Sequence, residues 1–153
     1  MLLVGAGNTI ELVARHLRAA GVGQITIANR SLENARVLVA KVADDAIGLS
    51  GIADVLHAYD IVISSTGSPD QVIAKITVQQ SRRRRRYRPQ FMVDIAVPRD
   101  IDPEVATLSG VYLYTIDDLT SVIEENIEGR KESAKHAEEI ITEAVKRYER
   151  ELG

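Results

Sequence analysis

Gly5, Ala6 and Gly7, followed by Asn8, Thr9 and Ile10, form the segment of this chain best suited to hold a phosphate. An apolar run, Met1-Leu2-Leu3-Val4, stands before them, and Glu11-Leu12-Val13-Ala14-Arg15-His16-Leu17 stands after. The first run predicts a buried strand and the second a helix. Gly5 permits a tight turn between the two. Gly7 carries no Cβ, so a pyrophosphate can approach the amides at the helix N-terminus, where unsatisfied N–H groups meet the positive end of the helix dipole. A strand, a glycine turn and a helix in this order is the pattern of dinucleotide-binding folds. Ile10 departs from it, standing where a third Gly or Ala would allow close helix–strand packing. The same residues also fit a plain strand-to-helix turn without a ligand.

A second cluster of chemistry-bearing residues, Asn29-Arg30-Ser31, ends the short apolar run Gln24-Ile25-Thr26-Ile27-Ala28. In a dinucleotide fold this position meets the adenosine ribose, where an acidic residue selects the free 2′-hydroxyl. Here an amide, a guanidinium and a hydroxyl replace the carboxylate. Arg30 can pair with a 2′-phosphate through its planar fork of donors, which predicts a preference for NADP over NAD. Ser31 can add a hydrogen bond and can also cap the helix beginning near Leu32. The alternative is that Asn29 and Ser31 are turn and cap residues and Arg30 is a solvated charge.

The elements that must position these groups alternate along the chain. Ala35, Leu38, Val39 and Val42 share one face of a helix, and Ala46-Ile47-Gly48-Leu49 reads as a short strand. Ser50 is placed to cap a brief helix around residues 52–58. Asp60-Ile61-Val62-Ile63 suits a fully buried parallel strand, and Ser64, Ser65, Thr66 and Ser68 at its carboxyl end suit a ligand rim. Pro69 is placed to open a helix over residues 70–81. Gln90-Phe91-Met92-Val93-Asp94-Ile95-Ala96 reads as a fifth strand running into Val97-Pro98-Arg99-Asp100. Asp102 and Pro103 make an N-cap and first-turn pair, and Val111-Tyr112-Leu113-Tyr114-Thr115 reads as a sixth strand. Such alternation predicts an α/β fold: a Rossmann-like, doubly wound parallel sheet of about six strands with helices on both faces. Four loops would then converge at the strands' carboxyl ends.

Composition narrows the remaining possibilities. The chain of 153 residues holds no cysteine, which excludes a disulfide, a thiolate nucleophile or a cysteine-held metal within it. No apolar run approaches the roughly 20 residues of a membrane helix and no secretory signal is evident, so a cytoplasmic protein is expected. His16, His57 and His136 share no metal-ligand spacing with acidic partners, and no metal is expected. The net charge is −3, yet six of the 19 basic residues fall within Arg82-Arg83-Arg84-Arg85-Arg86-Tyr87-Arg88. That run reads either as a solvated loop or as a contact for RNA phosphates with Tyr87 stacking.

The tail has a different character. Leu119, Ile123, Ile127, Ala134, Ala137, Ile141, Val145, Tyr148 and Leu152 form one stripe at helical spacing. A helix of this length extends about 50 Å, more than a compact domain of this size is wide. Residues 1–118 are therefore expected to form the nucleotide-binding domain and residues 119–153 a long connector. Beyond about Ala134 that helix is expected to need another surface.

The whole chain, in order, resembles the central NADPH-binding domain of bacterial-type glutamyl-tRNA reductases. The resemblance rests on Gly5-Ala6-Gly7 with Ile10-Glu11-Leu12-Val13-Ala14, on Ile25-Thr26-Ile27-Ala28-Asn29-Arg30, and on Ile61-Val62-Ile63-Ser64-Ser65-Thr66 with Ser68-Pro69. It rests further on Asp94-Ile95-Ala96-Val97-Pro98-Arg99-Asp100-Ile101, the most specific segment, and on Val111-Tyr112-Leu113-Tyr114-Thr115-Ile116-Asp117-Asp118-Leu119. In that family a cysteine of an amino-terminal domain attacks the ester joining glutamate to its tRNA. Hydride from NADPH then reduces the thioester to glutamate-1-semialdehyde, a tetrapyrrole precursor.

The resemblance implies roles by position. Gly5, Ala6, Gly7, Asn8, Thr9 and Ile10 would hold the pyrophosphate, and Asn29, Arg30 and Ser31 would select the 2′-phosphate. Ser64, Ser65, Thr66 and Ser68 would line the nicotinamide half. Asp94, Val97, Pro98 and Arg99 would sit where hydride crosses, although Asp94 fits equally a carboxylate capping nearby amides. It also implies a spinal helix leading to a dimerisation domain, glutamyl-tRNA held mainly by other domains, and a semialdehyde aminotransferase as partner. With no cysteine, this chain is expected to bind the cofactor without catalysing the reaction alone. Two other readings fit parts of the sequence: an NADP-binding domain of the shikimate-dehydrogenase type, and a non-enzymatic nucleotide- or RNA-binding module using residues 82–88.

Overall fold

The computed structural model describes residues 1–115, together with residues 118, 141, 142 and 146. Six short strands are laid down in the chain order that the apolar runs dictate: β1 (Leu2–Val4), β2 (Thr26–Asn29), β3 (Asp45–Gly48), β4 (Ile61–Ser64), β5 (Gln90–Asp94) and β6 (Val111–Thr115). They form one sheet of order β3-β2-β1-β4-β5-β6, and every neighbouring pair is parallel. The order reverses between β1 and β4, the topological switch point at which such sheets open a crevice. The doubly wound fold read from the sequence is present.

Side chains alternate between two cores, as the period of a strand requires. Leu3, Ile27, Ile61, Ile63, Phe91 and Val93 point to one face. There they meet Ile10, Ala14 and Leu17 of α1 (Asn8–Ala19) and Ala35, Leu38 and Val42 of α2 (Leu32–Val42). Leu2, Val4, Ala28, Val62 and Met92 point to the other face. They meet Ile52 of α3 (Ile52–Val55), Val78 of α4 (Lys75–Arg84), and Val105 of the 3₁₀ turn Pro103–Thr107. Burying both faces of β1 and β4 puts their carboxyl ends at the middle of the crevice rather than at an edge.

Local chemistry accounts for several boundaries. Ser31 Oγ accepts the Asn34 N–H at 3.2 Å and starts α2, and Asp102 accepts the Glu104 N–H at 3.0 Å ahead of Pro103, as expected of both caps. Ser50 does not cap: it lies inside a 3₁₀ turn, Leu49–Gly51, that leads straight into α3. Pro69 does not open a helix either. Residues 69–74 form an irregular, non-helical path, in which Val72 and Ile73 donate their N–H groups to Asp100 O at 2.7 and 3.0 Å and Ile73 bridges Ile101. α4 therefore starts at Lys75 and runs on into the arginine run.

The expected helix over residues 119–153 lies outside the described residues, except at positions 141, 142 and 146. Ile141, beyond Ala134, is half-buried against the core that α1 and α2 help to form.

Candidate functional site

Gly5 is the pivot between β1 and α1. Its φ of +118° is one that L side chains rarely adopt, and a Cβ there would lie 2.3 Å from the Ser65 carbonyl oxygen. Its N–H donates to Ala28 O at 2.7 Å, and the Ser65 N–H donates to Val4 O at 2.9 Å. The turn is thus wedged between the ends of β2 and β4, where only a hydrogen atom fits.

Gly7 answers to a different requirement. Its φ is −85°, which any residue adopts, and a Cβ built on it meets nothing within 4 Å. Nothing in the fold demands glycine there, so the space it leaves is available to a ligand. Gly7 is also the N-cap of α1 and supplies no side-chain cap, which leaves the first-turn N–H groups of the helix directed outward. Gly7, Asn8 and Thr9 are exposed and Ala6 is half-buried. A hollow of about 190 Å³ lies between this turn and Asn34, Val37 and Lys41 of α2. Ile10 contributes only its backbone to this edge, because its side chain is fully buried in the core. Its Cγ1 would stand 3.2 Å from a Cβ on Gly5, so it packs under the turn where a smaller residue was expected.

At the end of β2, Asn29 Nδ2 donates to Ser31 O at 3.1 Å and shapes the turn. Ser31 Oγ accepts from Asn34, yet its own hydroxyl proton stays available to a phosphate oxygen. Arg30 is exposed, and its guanidinium makes no hydrogen bond or ion pair among the described residues. The three residues therefore offer donors on the side where an adenosine ribose would lie.

The opposite rim, at the ends of β4 and β5, is built around two buried carboxylates. Asp100 was not singled out from the sequence. It accepts the Ser64 hydroxyl at 2.7 Å and the Thr66 N–H at 2.8 Å, and it also accepts the Thr66 hydroxyl. Asp94 accepts the N–H groups of Ala96 at 3.1 Å and Ile101 at 2.8 Å. Burial raises the Asp94 pKa above the usual carboxylate range, with nearby Asp100 acting in the same direction and the amide hydrogen bonds opposing it. Asp94 makes the contacts of the amide-capping reading, and its side chain is buried. Ser64 is likewise fully buried.

These two side chains hold the rim in place, while Ser65, Thr66 and Ser68 are the partly exposed members of the expected set. The loop after β5 presents Val97, 77% exposed, and exposed Pro98 across a cis peptide, with Arg99 half-buried beside them. Asp100 lies in the loop six residues after β5 ends, and it reaches Ser64 and Thr66 only because β4 and β5 pair in parallel, which no local pattern in the sequence marks.

The run at residues 82–88 is not a solvated loop throughout. Arg85 is 1% exposed and ion-paired with buried Asp60, and it donates to the carbonyls of His57, Tyr59 and Pro89. The sequence carries no local mark that separates this arginine from its neighbours.

The family model of shikimate / quinate 5-dehydrogenase matches residues 1–122. The chain is 55% identical over 150 residues to the glutamyl-tRNA reductase of Saccharophagus degradans, covering 98% of this chain and 35% of that protein. It is 55% identical over 140 residues to the glutamyl-tRNA reductase of Hahella chejuensis, covering 92% and 33%. Among solved structures, the glutamyl-tRNA reductase of Methanopyrus kandleri superposes with a TM-score of 0.75 at 36% identity, covering 99% of this chain and 38% of that one. The chain thus spans about a third of the length of the curated relatives it matches.

Proposed function

Because the chain belongs to the shikimate / quinate 5-dehydrogenase family, we propose that it is the NADPH-binding domain of an oxidoreductase, and specifically of a glutamyl-tRNA reductase. The observation that carries the cofactor reading is the uncapped N-terminus of α1 behind Gly7, whose missing Cβ leaves room that the fold itself does not need. The α1 amides would hold the pyrophosphate, and Arg30 with the Ser31 hydroxyl would hold the 2′-phosphate. When bound, NADPH supplies the hydride that reduces a glutamyl thioester to the semialdehyde. Asp100 fixes Ser64 and Thr66, and Asp94 fixes the loop carrying Val97 and Pro98, so the nicotinamide side is bounded by a rim set before any ligand arrives. Exposed Val97 and Pro98 give that rim an apolar surface that sheds water.

The chain contains no cysteine, so under this reading the thiol lies outside these 153 residues and the chain binds cofactor without turning over. Residues 1–118 are proposed as the cofactor unit and residues 119–153 as the connector to a dimerisation domain. Glutamyl-tRNA and a semialdehyde aminotransferase are the partners the reading implies, in the cytoplasm. No helix among the described residues is long and apolar enough to cross a membrane. The second reading, an oxidoreductase of shikimate or quinate, is favoured by the family model alone.

Calorimetric titration with NADPH, NADH and 2′,5′-ADP, on the chain and on Arg30→Ala, tests the proposal. NADPH and 2′,5′-ADP should bind, NADH at least about tenfold more weakly, a gap of about 1.4 kcal/mol. Arg30→Ala should abolish that gap. Folded protein that binds none of the three refutes the cofactor reading.

A further inference from the structure

The proposed cofactor site leaves the arginine run unused, although the fold organises it closely. α4 crosses from β4 to β5, two parallel neighbours, so its C-terminal end and the turn after it lie at the amino ends of the strands. The crevice lies at the other ends, across strands of four and five residues, about 15 Å away. Buried Arg85 anchors the turn through Asp60 and four carbonyls. Arg86 and Tyr87 hold φ values of 55° and 60°, two consecutive non-glycine residues in the left-handed region. With Arg85 anchored, Arg83, Arg84, Arg86 and Arg88 are all exposed, within a chain whose net charge is −3.

Beside them is a hollow of about 300 Å³ lined by Ile76, Gln79, Gln80, Arg82, Arg83 and Tyr87. The Arg82 guanidinium lies over the Tyr87 ring, 5.2 Å from its centre, and Arg82 Nε is buried without a hydrogen-bond partner. Tyr87 itself is 58% exposed.

We propose that this end of the molecule docks a structured RNA, with the four exposed guanidinium groups on its phosphates and an unpaired base against Tyr87 in the hollow. An acidic protein surface would satisfy the charge. It would not use an aromatic face flanked by two amide side chains, which supply a stacking platform and hydrogen-bonding edges for a base. Four phosphate contacts set the expected salt dependence: raising salt from 50 to 200 mM should weaken binding about hundredfold. The choice of RNA rests on the glutamyl-tRNA reductase reading above, whereas the surface itself lies at the opposite end of the sheet from the cofactor crevice.

The test is fluorescence anisotropy of the 153-residue chain with a labelled transcript of a glutamate tRNA, alongside poly-L-glutamate of equal charge. The transcript should bind more tightly than the polypeptide. In Arg83→Ala/Arg86→Ala, binding should weaken and the salt effect should fall to about tenfold, since two contacts remain. Tyr87→Ala should weaken binding about tenfold and leave the salt effect unchanged, because a stacked base carries no charge. Each variant's melting temperature and 2′,5′-ADP affinity are measured alongside, to establish that it is folded. If the transcript binds no better than poly-L-glutamate, or the double variant binds it undiminished, the proposal is overturned.

Discussion

Replacing Gly5 and Gly7 by alanine, one at a time, separates what the fold needs from what the ligand needs. At Gly5 the added methyl meets the Ser65 carbonyl oxygen at 2.3 Å on a backbone held at φ +118°. The backbone conformation alone costs 1–3 kcal/mol, and relieving the overlap requires β1 and β4 to part, so about 3 kcal/mol or more is lost. For a chain of this length that is a fall of about 10 °C in melting temperature. At Gly7 the methyl meets nothing and φ is −85°. The weaker N-cap costs a few tenths of a kcal/mol, offset by the reduced freedom of the unfolded chain, and melting should stay within about 2 °C. On the proposed binding mode, NADPH affinity should nevertheless fall at least about tenfold, because the methyl would fill the space proposed for the pyrophosphate. Thermal melts by circular dichroism and calorimetric titration measure the two effects. Wild-type NADPH affinity in Gly7→Ala, or unchanged melting in Gly5→Ala, would refute this division of labour.

Two further outcomes follow from buried and paired charges. Arg85→Met leaves Asp60 uncompensated in a site where the pair is 0% and 9% exposed, and should cost about 3–5 kcal/mol in urea unfolding; adding Asp60→Leu should recover most of it. Asp44 has a pKa lowered below 3.8 by its hydrogen bond from Arg18 and then by the Ile25 amide. Its contribution is present above 3.8 and lost as pH falls through the lower folded-state value. Arg18→Met should therefore flatten the decline in the urea midpoint between about pH 5 and pH 2, and an unchanged slope would remove Asp44 from acid unfolding.

The strands and the glycine turn after β1 were legible because their signals are local. Alternating apolar residues select a face of the sheet, and a glycine after a buried run marks a turn whatever lies elsewhere. The start of α4 was not legible from Pro69, because the non-helical path of residues 69–74 is tied to Asp100 and Ile101, nearly 30 positions onward. Asp94 and Ser64 were legible as rim residues but not as buried supports, since burial at a strand end depends on which strand lies alongside. Arg85 was the least legible of all. Its neighbours share its chemistry, and only the position of Asp60 before β4 distinguishes it.

That last feature bears on how the arginine run tolerates changes in length. In most cores, the loss or gain of a single residue would misplace a side chain. Here Arg84 and Arg86 flank the buried position, so after a one-residue slip the residue facing Asp60 is again an arginine. The pocket selects an arginine rather than a fixed place in the run, and the difference in length falls on the turn that Arg85 holds through the Arg88 and Pro89 carbonyls.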